Sequence, residues 1–309
     1  GIVDVHTHYD AQLTWDSDAT PSPALGVTTV VVGNCGFSIA PCPPECRDLI
    51  ARNLAEVEGM SLTALRSGTN WEFESFDEYL GLLRQKGVTP NVAAFIGHSA
   101  VRTMVMGEEA SERAANDDEV AAMRDLVVGG MDAGAIGFST STSINHHGDG
   151  GVPMPSRLAE ESELRSLVSV LGEKGRGVFQ LTVGPSMTSE VMESIAADNG
   201  CPVFQTAALH NAAYPERANK MVSDSAAAQT RGNGLWAQVS CQSLSMDFAL
   251  TAAFPLQSLD SWRPLIDADN ESFERQIRDA EFRKRFRHDL DAPQKGKLFY
   301  GDWSKGEVA

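Results

Sequence analysis

Seven short apolar runs, separated by longer amphipathic ones, constrain the fold of this chain more than any other feature. They cover residues 2–8, 28–34, 91–98, 135–141, 177–183, 202–208 and 235–241. The runs are rich in Val, Ile, Phe and Thr and mostly apolar at every position, and several follow a Gly or Pro, which is how strands buried on both faces read. Between them the spacing predicts helices around 47–66, 76–86, 117–133, 160–174, 189–199 and 216–231. Asn116 followed three residues later by Glu119 predicts a capping-box start, and Gly134 and Gly175 stand where helices should stop. Doubly buried strands joined by crossover helices predict a parallel sheet, closed as a barrel or open and doubly wound.

Two observations favour the barrel. Polar residues gather at the carboxyl ends of the strands: His6 and His8, Asn34 and Cys35, His98, Ser139 and Thr140, then Gln238 and Cys241. In a (β/α)8 barrel those ends form one mouth, where active sites are built. No Gly-x-Gly-x-x-Gly turn follows the first strand and no phosphate loop is present, so a nucleotide-binding sheet lacks its usual support. The expectation is an α/β chain with a (β/α)8 TIM-type barrel over 1–250, seven strands of it legible, and 251–309 as a helical, irregular continuation of the same domain. The chain opens in mid-strand on Gly1, which predicts a segment upstream.

Composition sets the surroundings. The 309 residues carry 25 basic and 42 acidic side chains, a formal charge of −17, which opposes broad affinity for nucleic acid or an anionic membrane. Arg275, Arg278, Arg283, Lys284, Arg285 and Arg287 fall among acids and read as a solvated helix face. No apolar stretch is long enough to span a membrane. The five cysteines are odd in number and irregularly spaced, so a disulfide framework is not expected and a reducing, cytoplasmic setting is. Cys42 and Cys46 have zinc-compatible spacing but no second pair, and read as ordinary loop thiols.

His6 and His8 are two positions apart at the end of the first run. On a strand such a pair points to one side, where both imidazoles can reach one ion. The pair reads as half of a metal site, with a hydrogen-bonded core as the alternative.

Four motifs then carry a resemblance. His6-Thr-His8-Tyr-Asp10, Gly26-Val-Thr-Thr-Val-Val-Val-Gly-Asn-Cys35-Gly-Phe-Ser, Phe95-Ile-Gly-His98-Ser-Ala-Val-Arg102 and Gly134-Ala-Ile-Gly-Phe-Ser-Thr-Ser141 occur in barrel order. Over roughly residues 1–250 the chain resembles the amidohydrolase superfamily, and within it the N-acyl-D-amino-acid deacylase (D-aminoacylase) branch. That resemblance implies a metal-dependent hydrolase with a (β/α)8 barrel and a small β-sandwich, of which little is visible here. It implies that His6, His8 and Cys35 are metal ligands, holding one Zn2+ or another divalent ion, and that a small amide is cleaved by a metal-activated water.

The departures are specific. The family places a histidine at the ends of the fifth and sixth strands, where this chain has Gln180 or Thr182 and Gln205 or Thr206; His210 lies beyond the sixth strand. No counterpart of the family's eighth-strand aspartate, the general base, is found before Ala309, so the catalytic base is unassigned. Asp10 reads as structural. His98 and Arg102 are expected to hold a substrate carboxylate, with pairing of Arg102 to an acid such as Glu108 equally open, and His146 in the loop after the fourth strand is a further substrate-binding candidate. Trp71, Phe73 and Phe76 read as packing rather than pocket wall. The expected substrate is an N-acyl amino acid or similar small C–N compound. A catalytically silent binding barrel and a cyclic-amide hydrolase are the alternatives.

Overall fold

The computed structural model describes residues 1–58, 62–148, 151–210, 214–241, 245–266, 268–292 and 306. Seven strands form one parallel sheet in chain order: β1 (Ile2–Asp4), β2 (Val27–Val32), β3 (Asn91–Gly97), β4 (Gly137–Ser141), β5 (Val178–Thr182), β6 (Val203–Thr206) and β7 (Leu235–Ala237). Every neighbouring pair is parallel, and the register sets Ser139 beside Gln180 and Thr182 beside Thr206. The sheet curls enough for the segment after β1 to meet the segment after β7, since His6 Nδ1 lies 2.8 Å from Gln238 Oε1. This is the expected barrel wall with seven strands; among the described residues there is no eighth.

The helices follow the predicted grammar: α1 (Arg47–Glu58), α2 (Leu62–Gly68), α3 (Phe76–Lys86), α4 (His98–Met106), α5 (Asp117–Ala133), α6 (Glu161–Lys174), α7 (Ser189–Asn199) and α8 (Arg217–Thr230). The Asn116 side chain accepts from Glu119 N while Glu119 reaches back, the predicted capping box. Gly134 and Gly175 end their helices in the left-handed conformation. Two differences matter. The single helix expected over 47–66 is two helices, and α4, which follows β3 without a loop, was read as part of the third strand and its connection.

Side chains alternate across the sheet, so its two faces can be told apart residue by residue. Ile96 points outward: its Cδ1 sits 2.5 Å from where a Cβ on Gly130 of α5 would lie. Gly97 faces inward, where an added Cβ would meet Gly36 O at 2.9 Å. Outward residues Phe138, Phe179 and Leu181 join Val127, Met131, Leu167, Leu171 and Ile195 of the helices in one fully buried core. Each such side chain contributes about 1.5–3 kcal/mol by leaving water.

Residues 1–243 form one compact unit and 244–309 another. The second was expected to continue the barrel domain over 251–309. Within it Leu256, Leu259, Trp262, Leu265, Phe273 and Phe282 are buried together, carried partly by α9 (Phe254–Gln257), α10 (Asn270–Arg278) and α11 (Ala280–Asp291). Among the described residues no helix is long and apolar enough to cross a membrane.

Candidate metal centre

His6, His8 and Cys35 each offer a ligand atom within 4.8 Å of the other two. β1 ends at Asp4, so the histidines lie beyond the strand rather than on it, as was expected. They still share one side, because Thr7 between them continues the pairing: its N–H and its hydroxyl both donate to Val31 O, at 3.0 and 2.7 Å. The two rings meet edge to face at 5.3 Å.

Cys35 arrives by a tight turn after β2. Gly33 adopts φ 77°, and a Cβ there would lie 2.4 Å from Phe95 O, so only glycine fits. Cys35 itself holds φ 58°, a left-handed conformation uncommon for a side-chain-bearing residue. It aims Sγ at His6 Nε2, 3.1 Å away, with His8 Nε2 at 3.9 Å. Ser139 braces the turn, its hydroxyl donating to Gly33 O and accepting from Gly36 N at 3.0 Å. Asp10 does the same from the other side: its carboxylate accepts from Gly33 N at 3.0 Å, which makes it a brace.

Electrostatics prepare the thiol. Burial opposes ionisation of Cys35, but the His6 and His8 imidazoles beside it win, and its pKa falls well below the ordinary thiol value. Burial also opposes a charged His6, yet the Cys35 thiolate, with Gln238 and Asp4, lifts His6 to about 9. Each group thus favours the charged form of the other, and a bound cation would take the place of the proton between them. His8 Nδ1 is buried without a hydrogen-bond partner. Two imidazoles and a thiolate suit a borderline-soft divalent ion such as zinc, and leave a fourth tetrahedral position open.

The fifth- and sixth-strand positions supply no imidazole. Gln180 and Thr206 point inward, hydrogen-bonded to each other at 3.0 Å, and Thr206 donates to Gln238 at 2.7 Å. His210 is exposed and outside the cluster. Among the described residues no carboxylate joins the cluster.

His146 sits close by. Its ring packs on Phe37 at 5.1 Å, Phe37 packs in turn on His8 at 5.8 Å, and Nδ1 lies 2.8 Å from Ser141 Oγ. Burial pushes its pKa down to about 4, so it is a neutral imidazole at pH 7.

His98 and Arg102 are elsewhere. His98 is one residue beyond inward-facing Gly97 and so lies on the outer face, against Phe138 at 5.1 Å and 2.8 Å from Thr140 Oγ1. Its Nε2 meets Glu163 of α6 at 2.7 Å, and Arg102 of α4 grips the same carboxylate with distances of 2.6 and 2.5 Å. His98 and Arg102 are fully buried and Glu163 nearly so. The expected contact with a substrate carboxylate is corrected to an internal ion cluster, and the acid is Glu163 rather than Glu108. Burial keeps His98 neutral by lowering its pKa, while His98 and Arg102 outweigh burial at Glu163 and hold its carboxyl below the usual value.

The other expectations resolve as packing. Phe73 and Phe76 are buried in the core. Burial pushes the Cys42 thiol up to about 12, and the Cys46 Sγ–H donates to Thr103 O, so neither is prepared to ligate. Sequence reasoning noted Gln180, Thr206 and Gln238 but did not assign them to the site; Gln180 is in the middle of β5, Thr206 ends β6 and Gln238 follows β7.

The chain is similar to several known proteins. The amidohydrolase family model matches residues 1–277. D-aminoacylase of Alcaligenes xylosoxydans xylosoxydans is 43% identical over 144 residues, 45% of this chain and 26% of that protein. The N-acyl-D-aspartate deacylase of the same organism is 37% identical over 142 residues, 46% of this chain and 26% of its own. A crystal structure of D-aminoacylase superposes with a TM-score of 0.59 at 29% identity, over 78% of this chain and 46% of that one. Another structure of D-aminoacylase, TM-score 0.55 at 28% identity over the same shares, describes a binuclear metal centre with one-metal activation and second-metal attenuation in that enzyme. The chain thus spans about a quarter of the length of these curated relatives. With the family model matching most of its residues, the chain belongs to the amidohydrolase family.

Proposed function

We propose that this chain is the metal-binding part of a hydrolase that cleaves the amide bond of an N-acyl amino acid, with one zinc ion held by His6, His8 and Cys35. The observation that carries this is the convergence of two imidazoles and a thiolate from separate segments around one point. An ion held there supplies Lewis acidity for the scissile carbonyl and lowers the pKa of water. The protein's own contribution is to keep Cys35 ionised, to hold the His6 and His8 rings edge to face, and to present neutral His146 across Phe37 as a hydrogen-bonding group for a small substrate. A single ion is favoured over two because Gln180 of β5 and Thr206 of β6 hydrogen-bond to each other and bring no further imidazole or carboxylate. The odd number and irregular spacing of the five cysteines support a cytoplasmic setting as part of this reading.

One observation favours a second reading, a binding barrel without turnover: among the described residues no carboxylate reaches the cluster to act as base, a role worth about 10²–10⁴ in rate. Zinc-loaded protein should be assayed against N-acyl-D-amino acids, N-acyl-L-amino acids and cyclic ureides. Turnover of the N-acyl-D set is expected. Turnover of ureides alone would redirect the proposal to cyclic amides, and bound zinc with no turnover on any set would favour the silent barrel.

A further inference from the structure

Five polar groups close a ring around the candidate metal centre. Cys35 N–H donates to Gln180 Oε1 at 2.7 Å, Gln180 Nε2 to Thr206 Oγ1 at 3.0 Å and Thr206 Oγ1 to Gln238 Oε1 at 2.7 Å. Gln238 Oε1 then lies 2.8 Å from His6 Nδ1, and His6 Nε2 returns to Cys35 Sγ at 3.1 Å. The ring joins the first residues after β1 and β2 to β5, β6 and the end of β7.

The donor and acceptor at each link of the ring are fixed by a backbone atom. A peptide N–H can only donate, so the Gln180 atom facing Cys35 must be the amide oxygen and the atom facing Thr206 the amide nitrogen. Thr206 Oγ1, already accepting from Gln180, turns its own proton to Gln238. The Gln238 atom that receives it must be the oxygen, and the same oxygen faces His6. His6 Nδ1 must therefore carry a proton, whatever the ring's charge, which leaves Nε2 as the nitrogen that faces Cys35 and can bind a metal. A ligating histidine that donates its other N–H to a fixed acceptor is held in one tautomer and one orientation.

We propose that Gln180, Thr206 and Gln238 form a hydrogen-bond relay, ending at an amide oxygen that also accepts from His6, which positions both a thiolate and an imidazole ligand. The relay fixes the left-handed turn at Cys35 at one end and the Nε2-ligating form of His6 at the other. Gln238 is the positioning residue that acts on His6 directly. Gln180 and Thr206 are among the residues that stand where the resemblance puts imidazole ligands, and in this chain they brace the ligands of one ion. The proposal rests on the metal reading above, and concerns how the ligands are held rather than whether turnover occurs.

Cobalt substitution tests it, because a cobalt–thiolate bond absorbs in the near ultraviolet and reports Cys35 without any substrate. Wild-type protein should show the band on titration with Co2+. Gln238→Leu and Thr206→Val should weaken Co2+ binding about 10–100-fold while keeping the band at the same wavelength, since Cys35 still ligates. Gln238→Glu, which keeps the acceptor, should bind within about threefold of wild type, marking the loss in Gln238→Leu as positional. Histidine 15N NMR of the zinc-loaded wild type supplies a reading that no folding defect can disturb: His6 should carry its proton on Nδ1 with the metal on Nε2. Zinc on Nδ1, or Gln238→Leu binding as tightly as wild type while the band is present, overturns the relay alone. No thiolate band in wild-type protein overturns the metal reading and the relay with it.

Discussion

Two histidine clusters lie on opposite faces of the same barrel wall. Inside the mouth, His6 and His8 share Cys35, a nitrogen of His8 has no partner, and the histidines keep partial access to solvent. Behind β3 and β4, His98 has both ring nitrogens engaged, by Thr140 and Glu163, and Glu163 is also gripped by Arg102. The first cluster has donor atoms to spare and an open side; the second has its imidazole and carboxylate occupied and no access. A histidine near a carboxyl strand end is thus a poor guide to function until its face is known. Spare ligand atoms, rather than residue type, separate the site from the strut.

The largest expected effect breaks the pairing in the strut. Glu163→Ala leaves the Arg102 guanidinium buried without its counter-charge and should cost about 3–5 kcal/mol of unfolding free energy. The same denaturation experiment on metal-free Cys35→Ala should show a loss of about 1 kcal/mol or less, since Ala leaves the turn's backbone partners in place. Comparable losses would mean the two clusters do not divide the work as described.

A smaller effect lies in the pH dependence of stability. His98 is depressed by burial and Glu163 by its partners, so both contribute stability that is present above their unfolded values, near 6.5 and 4.5, and lost as pH falls. The contribution of His98 and Glu163 to unfolding free energy should decline from about pH 6.5 downward, alongside that of His146, and His98→Gln should flatten the His98 share of that decline. An unchanged slope in the variant would show that His98 is not the titrating group.

Much of this was legible in the sequence, for identifiable reasons. Doubly apolar runs of strand length announced all seven strands, and the glycines at 134 and 175 and the Asn116–Glu119 box announced helix ends, because each signal is local. His6, His8 and Cys35 were legible because the barrel brings the ends of consecutive strands together. The misplacement of His98 came from a single step of alternation: Gly97 faces in, so the next residue faces out, and α4 begins there without a loop. The relay through Gln180, Thr206 and Gln238 spans residues 35 to 238 and follows no period. Nor does the sequence mark 244–309 as a compact unit, since amphipathic helices look alike whichever core they join.

The central claim is that His6, His8 and Cys35 together hold one metal ion. Zinc K-edge X-ray absorption on the purified, zinc-loaded protein tests it most directly. The account predicts about one zinc per chain with a single sulfur ligand at about 2.3 Å and nitrogen or oxygen ligands at about 2.0–2.1 Å, the sulfur disappearing in Cys35→Ala. A first shell of nitrogen and oxygen alone in the wild-type protein, or no bound zinc, would contradict it.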